Sequence, residues 1–395
     1  MAAIPFPTVT GQSLDPDPLL AERQRTEPTF KIQPAFGGEC WLVTRHADVR
    51  AMLGDSRFSR AATVDVDVAR TQPYIQRAAT IVGMDPPDHT RIRTLVSNAF
   101  TIRRVDALRP RAQQVVDGLL DDMEKAGSPV DVVAGLATPL PIAMICELLG
   151  VPFEDRSRFR GWADTFMTST GHTVEQVMAA HGELTAYLAE MIDQRRHDAT
   201  DDLLGALVHA RDEGHALSED ELVQLGIALL VGGFETTTSQ IAKFVLCLLL
   251  NPDQLRLLRD DPSLVPSAVE ELLRLVPLAA GTAIAYVALE DVVLGGVTIR
   301  AGDAVTASSA AASRDPAVFT QPDELEVQRA DNPHLGFGHG RHFCLGAHLA
   351  RMELQVALGS LVQRFPKLEL AVSRDDIAWK TGSAVWGLQS LPVSF

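Results

Sequence analysis

The chain has 395 residues, 46% of them hydrophobic, which is enough to bury a large core. Its formal net charge of −16 would repel a phosphate backbone or an anionic bilayer, so neither nucleic acid nor a membrane is expected as a partner. No Ser-, Gly- or Pro-rich linker and no internal repeat interrupts the sequence, and residues 1–395 read as one domain.

The opening MAAIPFPTVTG lacks a basic, apolar leader, and Cys40, Cys146, Cys247 and Cys344 are widely spaced, so a reducing cytoplasm is the expected compartment. The run TFKIQPAFGGECWLVTRH holds two β-rich stretches around Gly37-Gly38 and predicts a hairpin. Apolar residues at three and four spacing then predict helices over 45–53, 88–100, 109–125, 139–149, 174–196, 219–250 and 252–259. Within 91–111, six arginines (Arg91, Arg93, Arg103, Arg104, Arg109, Arg111) face one acid, Asp106, a basic stretch in an acidic chain. The apolar segment 225–250 carries Glu235 and Lys243, which suits a buried helix better than a membrane span. A second β-rich region covers 283–306 with a turn at Gly295-Gly296, and a last helix should run from beyond Gly346 to about Phe365. The predicted class is mainly α with small β-sheets.

The most informative segment is HLGFGHGRHFCLGAHLAR, residues 334–351, where Gly336, Gly338, Gly340 and Gly346 surround Cys344 just before a helix. Glycines let a backbone approach a flat ligand, and a helix N-terminus favours a thiolate, which suits a metal ligand. A buried cysteine in a tight turn is the plainer alternative. Zinc is disfavoured, because His339, His342, Cys344 and His348 follow none of its usual paired spacings.

The stretch FGHGRHFCLG, Phe337 to Gly346, resembles the haem-binding signature of the cytochrome P450 monooxygenases. The resemblance implies that Cys344 is the proximal thiolate, that Phe337, Gly338 and Gly346 shape the ligand loop, and that His342 meets a haem propionate. GGFETTTS, 232–239, resembles the family's oxygen-binding groove, with Glu235 and Thr236 in the acid and alcohol positions. Thr236 lies four residues after Gly232, so its hydroxyl can bond back to that carbonyl and locally open the helix.

ELLR, Glu271 to Arg274, is by itself an ordinary i,i+3 pair; beside the cysteine signature it resembles the family's buried Glu-x-x-Arg, with Arg329 as third partner. In MDPPDHTRIR, His89 and Arg93 share a helix face, and the resemblance puts both on haem propionates. The chain departs from the family at AIAYVALED, where Tyr286 stands in place of a propionate-binding arginine. No Arg, Lys or His occurs from Leu275 to Ile299, so the tyrosine hydroxyl, a water or another segment has to serve that propionate, or the pocket is altered there.

The resemblance further implies a P450 fold with haem b between the 225–250 helix and the Cys344 loop, and O2 as co-substrate. Electrons would come from a separate ferredoxin and ferredoxin reductase, docked on the arginines of 91–111. VPLAAGTA, VTIRAGDAV and HLGFGHG are most similar to actinobacterial enzymes that tailor macrolides and other secondary metabolites. The substrate is then a bulky hydrophobic small molecule. Its walls are expected from 60–82, 165–173, 278–286 and 383–388, with Phe234, Leu278, Ala283, Tyr286 and Val385 as candidates. The alternative is a haem-binding sensor or carrier without turnover.

Overall fold

A computed structural model describes residues 3–8, 13–76, 80–166, 171–198, 200, 202–214, 217–279 and 285–395. In chain order these form β1 (Ile4–Pro5), α1 (Pro18–Thr26), β2 (Thr29–Gln33), β3 (Cys40–Val43), α2 (His46–Gly54), β4 (Phe58–Ser59), α3 (Asp88–Ser97), α4 (Ile102–Ala126) and β5 (Val130–Asp131). There follow α5 (Pro139–Leu149), α6 (Arg156–Phe166), α7 (Val174–His197), α8 (Leu203–Gly214), α9 (Glu219–Leu249), α10 (Pro252–Asp260) and α11 (Val265–Leu275). The remainder is β6 (Tyr286–Ala288), β7 (Val292–Leu294), β8 (Val297–Ile299), β9 (Ala304–Ala307), α12 (Ser309–Ala312), α13 (Ala347–Arg364), β10 (Glu369–Leu370) and β11 (Pro392–Ser394). The class is the expected one, helical with small sheets.

The long helix α9 organises the molecule. Ser218 and Glu221 form a reciprocal capping box at its start, which satisfies two backbone N–H groups that no helical carbonyl reaches. By length and hydropathy α9 passes for a membrane span, yet 72% of its most apolar window is buried inside the protein. It is a core helix: α5, α7 and α13 pack against it, and α4 packs on α13. Glu235 and Lys243 sit within this burial, which the segment's apolar neighbours make energetically demanding.

The largest sheet has the order β1-β2-β3-β9-β6-β4. β2 and β3 form the antiparallel hairpin expected around Gly37-Gly38, with Ile32 opposite Cys40. At the far edge β4 runs antiparallel to β6, pairing Phe58 with Ala288 and Ser59 with Val287. β7 and β8 make the second hairpin, turning at Gly295-Gly296. β10, β11 and β5 form a third sheet that joins the chain's end to the segment before α5.

Two helix starts differ from expectation. α4 begins at Ile102 and carries Pro110 in its interior, whereas the sequence suggests a start at 109. Pro110 reads as a first-turn proline, but a buried stripe of Val105, Ala112, Val116, Leu120 and Met123 holds the helix straight through it at the cost of one hydrogen bond. α11, unassigned from periodicity, has Pro266 near its start, where the missing N–H would be unpaired in any case.

Candidate cofactor and active site

Cys344 lies in the loop that leads into α13, capped at Gly346. The loop is set by its own backbone bonds: Cys344 N–H donates to Phe337 carbonyl (2.9 Å), Gly338 N–H to Leu335 (2.9 Å) and Phe343 N–H to Gly340 (3.0 Å). Gly338 and Gly340 hold φ of 74° and 70°, and a Cβ on Gly340 would sit 2.3 Å from the Leu53 carbonyl oxygen, so glycine is required there. Phe337 is clamped from outside the loop, with the Arg351 guanidinium 4.5 Å from its ring centre.

Cys40, Cys146 and Cys247 are buried, while Cys344 is accessible. Protein nonetheless surrounds its sulfur on most sides, and this burial raises the thiol pKa. The Gly346 N–H, Arg93 and Arg351 work against it by favouring the thiolate. Among the described residues no group of three or more His, Cys, Asp or Glu is gathered closely enough to hold a metal ion.

α9 is buried along most of its length, but Gly232 is exposed and Gly233 and Thr236 are partly so. The Thr236 hydroxyl donates to the Gly232 carbonyl at 2.8 Å, the back-bond expected from the spacing. The helix does not open there, however; it continues unbroken through 232–236. What makes room is the missing side chain at Gly232, where an added Cβ would meet nothing within 4 Å. Glu235 is on the buried side: its Oε1 accepts from Lys380 Nζ at 2.7 Å, and its Oε2 has no partner among the described residues. Burial raises the Glu235 pKa, and Lys380 opposes that.

His89 and His342 come together, with ring centres 4.4 Å apart. His342 Nε2 is buried without a partner among the described residues. Burial, with the charges of Arg60 and His89, pushes His342 down to about 3; burial and Arg93 also lower His89. Arg93 is on the cysteine side, its guanidinium donating to the Phe343 carbonyl at 2.6 Å. Tyr286 closes the group, its ring centre 6.3 Å from that of His342. Its hydroxyl accepts from Arg60 Nη2 at 3.1 Å.

Glu271 and Arg274 are fully buried and paired, at 2.7 and 2.8 Å, and Arg329 Nε donates to Glu271 at 3.0 Å. The expected three-residue network is thus assembled, and Asn332 and the Glu326 backbone N–H also donate to Glu271. Glu270, one residue earlier, was not anticipated. It accepts from His334 (3.0 Å) and Arg351 (2.7 and 2.8 Å), residues that flank the Cys344 loop on either side. Burial alone would raise Glu270, but these bonds outweigh it and hold the carboxyl at about 2. The run EE before LLR was the available signal: two acids in succession point to different sides of α11.

The predicted substrate walls divide. Leu278 and the Val385 segment are joined, because Trp386 N–H donates to the Leu278 carbonyl at 2.9 Å. Ala283 lies outside the described residues. Phe234 is not a wall: two residues along a helix is a rotation of about 200°, so it points away from the Gly232–Thr236 face. It packs instead among Ile142, Ile145, Leu184 and Leu230, around a void of about 10 Å³. Tyr286 is buried and held by Arg60 rather than open to a substrate.

Of the basic stretch, Arg91 pairs with Glu221 (2.5 Å) and Arg111 with Glu147 (2.9 Å). Arg109 donates to Gln355 at 2.9 Å. Arg103 and Arg104 are exposed and make no ion pair among the described residues.

A family described as Cytochrome P450 matches residues 142–382. The chain is 51% identical over 391 residues to the nocardicin C N-oxygenase of Nocardia uniformis subsp. tsuyamanensis, covering 99% of this chain and 98% of that one. It is 49% identical to the mycinamicin IV hydroxylase/epoxidase of Micromonospora griseorubida, again over 99% and 98%. Among solved structures it resembles the LnmA hydroxylase of the leinamycin biosynthetic pathway of Streptomyces atroolivaceus S-140, with 48% identity, a TM-score of 0.93 and full coverage of both chains.

Proposed function

The chain belongs to the cytochrome P450 family, and on that premise we propose a monooxygenase that hydroxylates or epoxidises a bulky apolar secondary metabolite of macrolide, polyketide or peptide type. The names of its relatives support the substrate class: one acts on nocardicin C and another on mycinamicin IV. We assign haem b as the cofactor and O2 as co-substrate, the whole chain serving as one catalytic domain in the cytoplasm.

The residues fit such a group. A porphyrin needs a metal ligand, a close backbone and partners for two carboxylates. Cys344 offers a sulfur at a helix N-terminus; Gly232 and Gly346 present positions where a Cβ would meet open space; and His342 Nε2 is a buried nitrogen in want of a partner. Bound haem supplies the redox-active iron for O2 activation, and a thiolate ligand favours O–O cleavage.

The rest is work for the chain's own side chains. Cys344 supplies the thiolate, with Arg93, Arg351 and the Gly346 N–H stabilising its charge. His89, Arg93 and His342 hold carboxylates. Thr236, whose proton is committed to Gly232, keeps its oxygen lone pairs facing the open side of α9 and can accept a hydrogen bond there. Glu235, bonded to Lys380, is the group through which a proton from outside reaches that side. Glu271, Arg274 and Arg329 keep the approach to the cysteine loop rigid, as Glu270 does for its two ends. Members of this family take electrons from a separate carrier; we assign an acidic ferredoxin with its reductase, docking at Arg103 and Arg104.

The observation that carries this reading is Cys344, the one accessible cysteine of the four, in a glycine-shaped loop at the start of α13. Its test is the spectrum of the reduced, CO-bound protein, together with O2-dependent product formation under a ferredoxin system. Cys344→Ser should abolish both. Retention of a thiolate-type spectrum in that variant would overturn the assignment, and a normal spectrum without turnover on any substrate would favour a carrier.

A further inference from the structure

Among the described residues, no carboxylate pairs with the buried guanidinium of Arg60. Only 6% of the residue is exposed, it forms no ion pair among the described residues, and its Nε has no hydrogen-bond partner. The contacts its other nitrogens make are neutral: Nη1 reaches the Val82 carbonyl at 3.4 Å and Nη2 the Tyr286 hydroxyl at 3.1 Å. Asp85 is close but is already engaged, accepting from the Ser59 hydroxyl (2.5 Å), the Arg60 backbone N–H (3.1 Å) and the Ala61 N–H (3.4 Å). Those donors are neutral and leave the Asp85 charge in place at longer range, but no carboxylate is in ion-pair contact with the guanidinium; a buried cation lacking such a direct partner is costly, and it is retained where something supplies one.

The geometry says where that charge belongs. β4 and β6 pair Phe58 with Ala288 and Ser59 with Val287, and one further step of this antiparallel register sets Arg60 opposite Tyr286. The guanidinium lies on the tyrosine ring, 4.2 Å from its centre. Tyr286 in turn stands beside His342, and His342 beside His89. Four groups able to donate to an anion therefore line one buried corner, three of them from segments that the sequence already associates with the cofactor's carboxylates.

We propose that Arg60 is the cation that binds a haem propionate in place of the arginine missing from β6, and that Tyr286 is its positioning residue. The guanidinium has moved one strand across the sheet, from 286 to its cross-strand neighbour. Tyr286 orients it through the ring face and the hydroxyl, leaving Nε and the free edge of the guanidinium for the carboxylate. This inference rests on the haem assignment above and adds a residue to it.

The test is haem transfer from the holoenzyme to an apo-myoglobin acceptor. Arg60→Met should lose haem roughly ten- to a hundred-fold faster than the unaltered protein, the range expected for removing a hydrogen bond between charged groups. Arg60→Lys should fall between, since the charge remains without the fork. Tyr286→Phe should accelerate loss several-fold with Arg60 still present. Arg60→Met combined with Tyr286→Arg should restore slow loss, because the cation returns from the opposite strand. Reconstitution with haem dimethyl ester supplies a second readout: esterification should weaken the unaltered protein strongly and Arg60→Met little further. If Arg60→Met failed to fold, the ester comparison in the unaltered and Tyr286→Phe proteins would decide. Unchanged haem loss in Arg60→Met, or equal ester effects in both proteins, would overturn the proposal while the thiolate spectrum stood. Absence of that spectrum in the unaltered protein would instead sink the haem assignment itself.

Discussion

Lys380 Nζ lies 2.7 Å from Glu235 Oε1, so the acid of α9 is paired by a residue 145 positions away in the segment between α13 and β11. The same ammonium is 3.8 Å from Asp164 on α6. One cation thus links the buried acid, a C-terminal turn and a helix at the protein's surface. Burial raises the Glu235 pKa and Lys380 lowers it. Lys380→Met should leave only the weaker Ser239 hydroxyl bond to oppose burial, so Glu235 would need a higher pH to ionise and the acidic limb of the pH profile for coupled turnover would move upward. Haem content and substrate-induced spectral shifts should stay unchanged. The measurement is product formed per O2 consumed between pH 6 and 9; an unmoved acidic limb would remove Glu235 from the proton route.

Thr236→Ala should bind haem and substrate nearly as the parent does but divert reducing equivalents to peroxide, since only the acceptor on the open face of α9 is lost. Thr236→Ser keeps the hydroxyl and should keep most of the coupling. Peroxide yield per NADPH distinguishes them, and full coupling in the alanine variant would show that Thr236 is there only for its back-bond.

Arg103 and Arg104 are exposed near the start of α4, whereas Arg91 and Arg111 are tied to Glu221 and Glu147. The double change Arg103→Glu/Arg104→Glu should slow reduction by an acidic ferredoxin about ten-fold or more at low ionic strength, the difference shrinking as salt screens it. Stopped-flow reduction across a salt series measures this. Wild-type rates at low salt would reduce the pair to a solvated helix face.

What the sequence discloses and what it hides separates along chain distance. Cys344 with its glycines, and Thr236 with Gly232, are local patterns whose chemistry is complete within a few residues. Glu271 and Arg274 are one helical turn apart, and only the third partner, Arg329, had to be fetched from elsewhere. Arg60 and Lys380 act through partners 226 and 145 residues away, reached by a two-residue strand and an irregular turn that carry no periodic signal. Phe234 fails for a different reason: its neighbourhood was right and its direction wrong, because adjacency to Glu235 and Thr236 in sequence is not adjacency on a helix face. α1, α6, α8, α11 and α12 also went unread, and β1, β5, β10 and β11 are too short to alternate.

Lys243 offers a stability prediction with a definite sign. It is fully buried on α9, donates to the Pro277 carbonyl at 2.5 Å and feels the charge of Glu235 two turns earlier; burial lowers its pKa from 10.5 to about 7 despite that favourable charge. Between pH 7 and 10.5 the unfolded chain holds a proton on this group that the folded protein has released. The unfolded state then binds more protons, so stability rises with pH across that window. Below about pH 7 both states are protonated and the cost of burying the ammonium is at its full value. Lys243→Met, similar in volume, removes that cost together with the bond to Pro277, which contributes about 1 kcal/mol. The variant should therefore be more stable than the parent at pH 6–7. Its advantage should shrink as pH approaches 10 and reverse once the parent's lysine is neutral in both states and only the lost hydrogen bond remains. Urea midpoints of the two proteins at pH 6.5 and pH 9.5 measure the difference. An advantage that does not change with pH would mean that Lys243 stays charged when folded, with Glu235 as its counter-ion rather than as a free proton carrier.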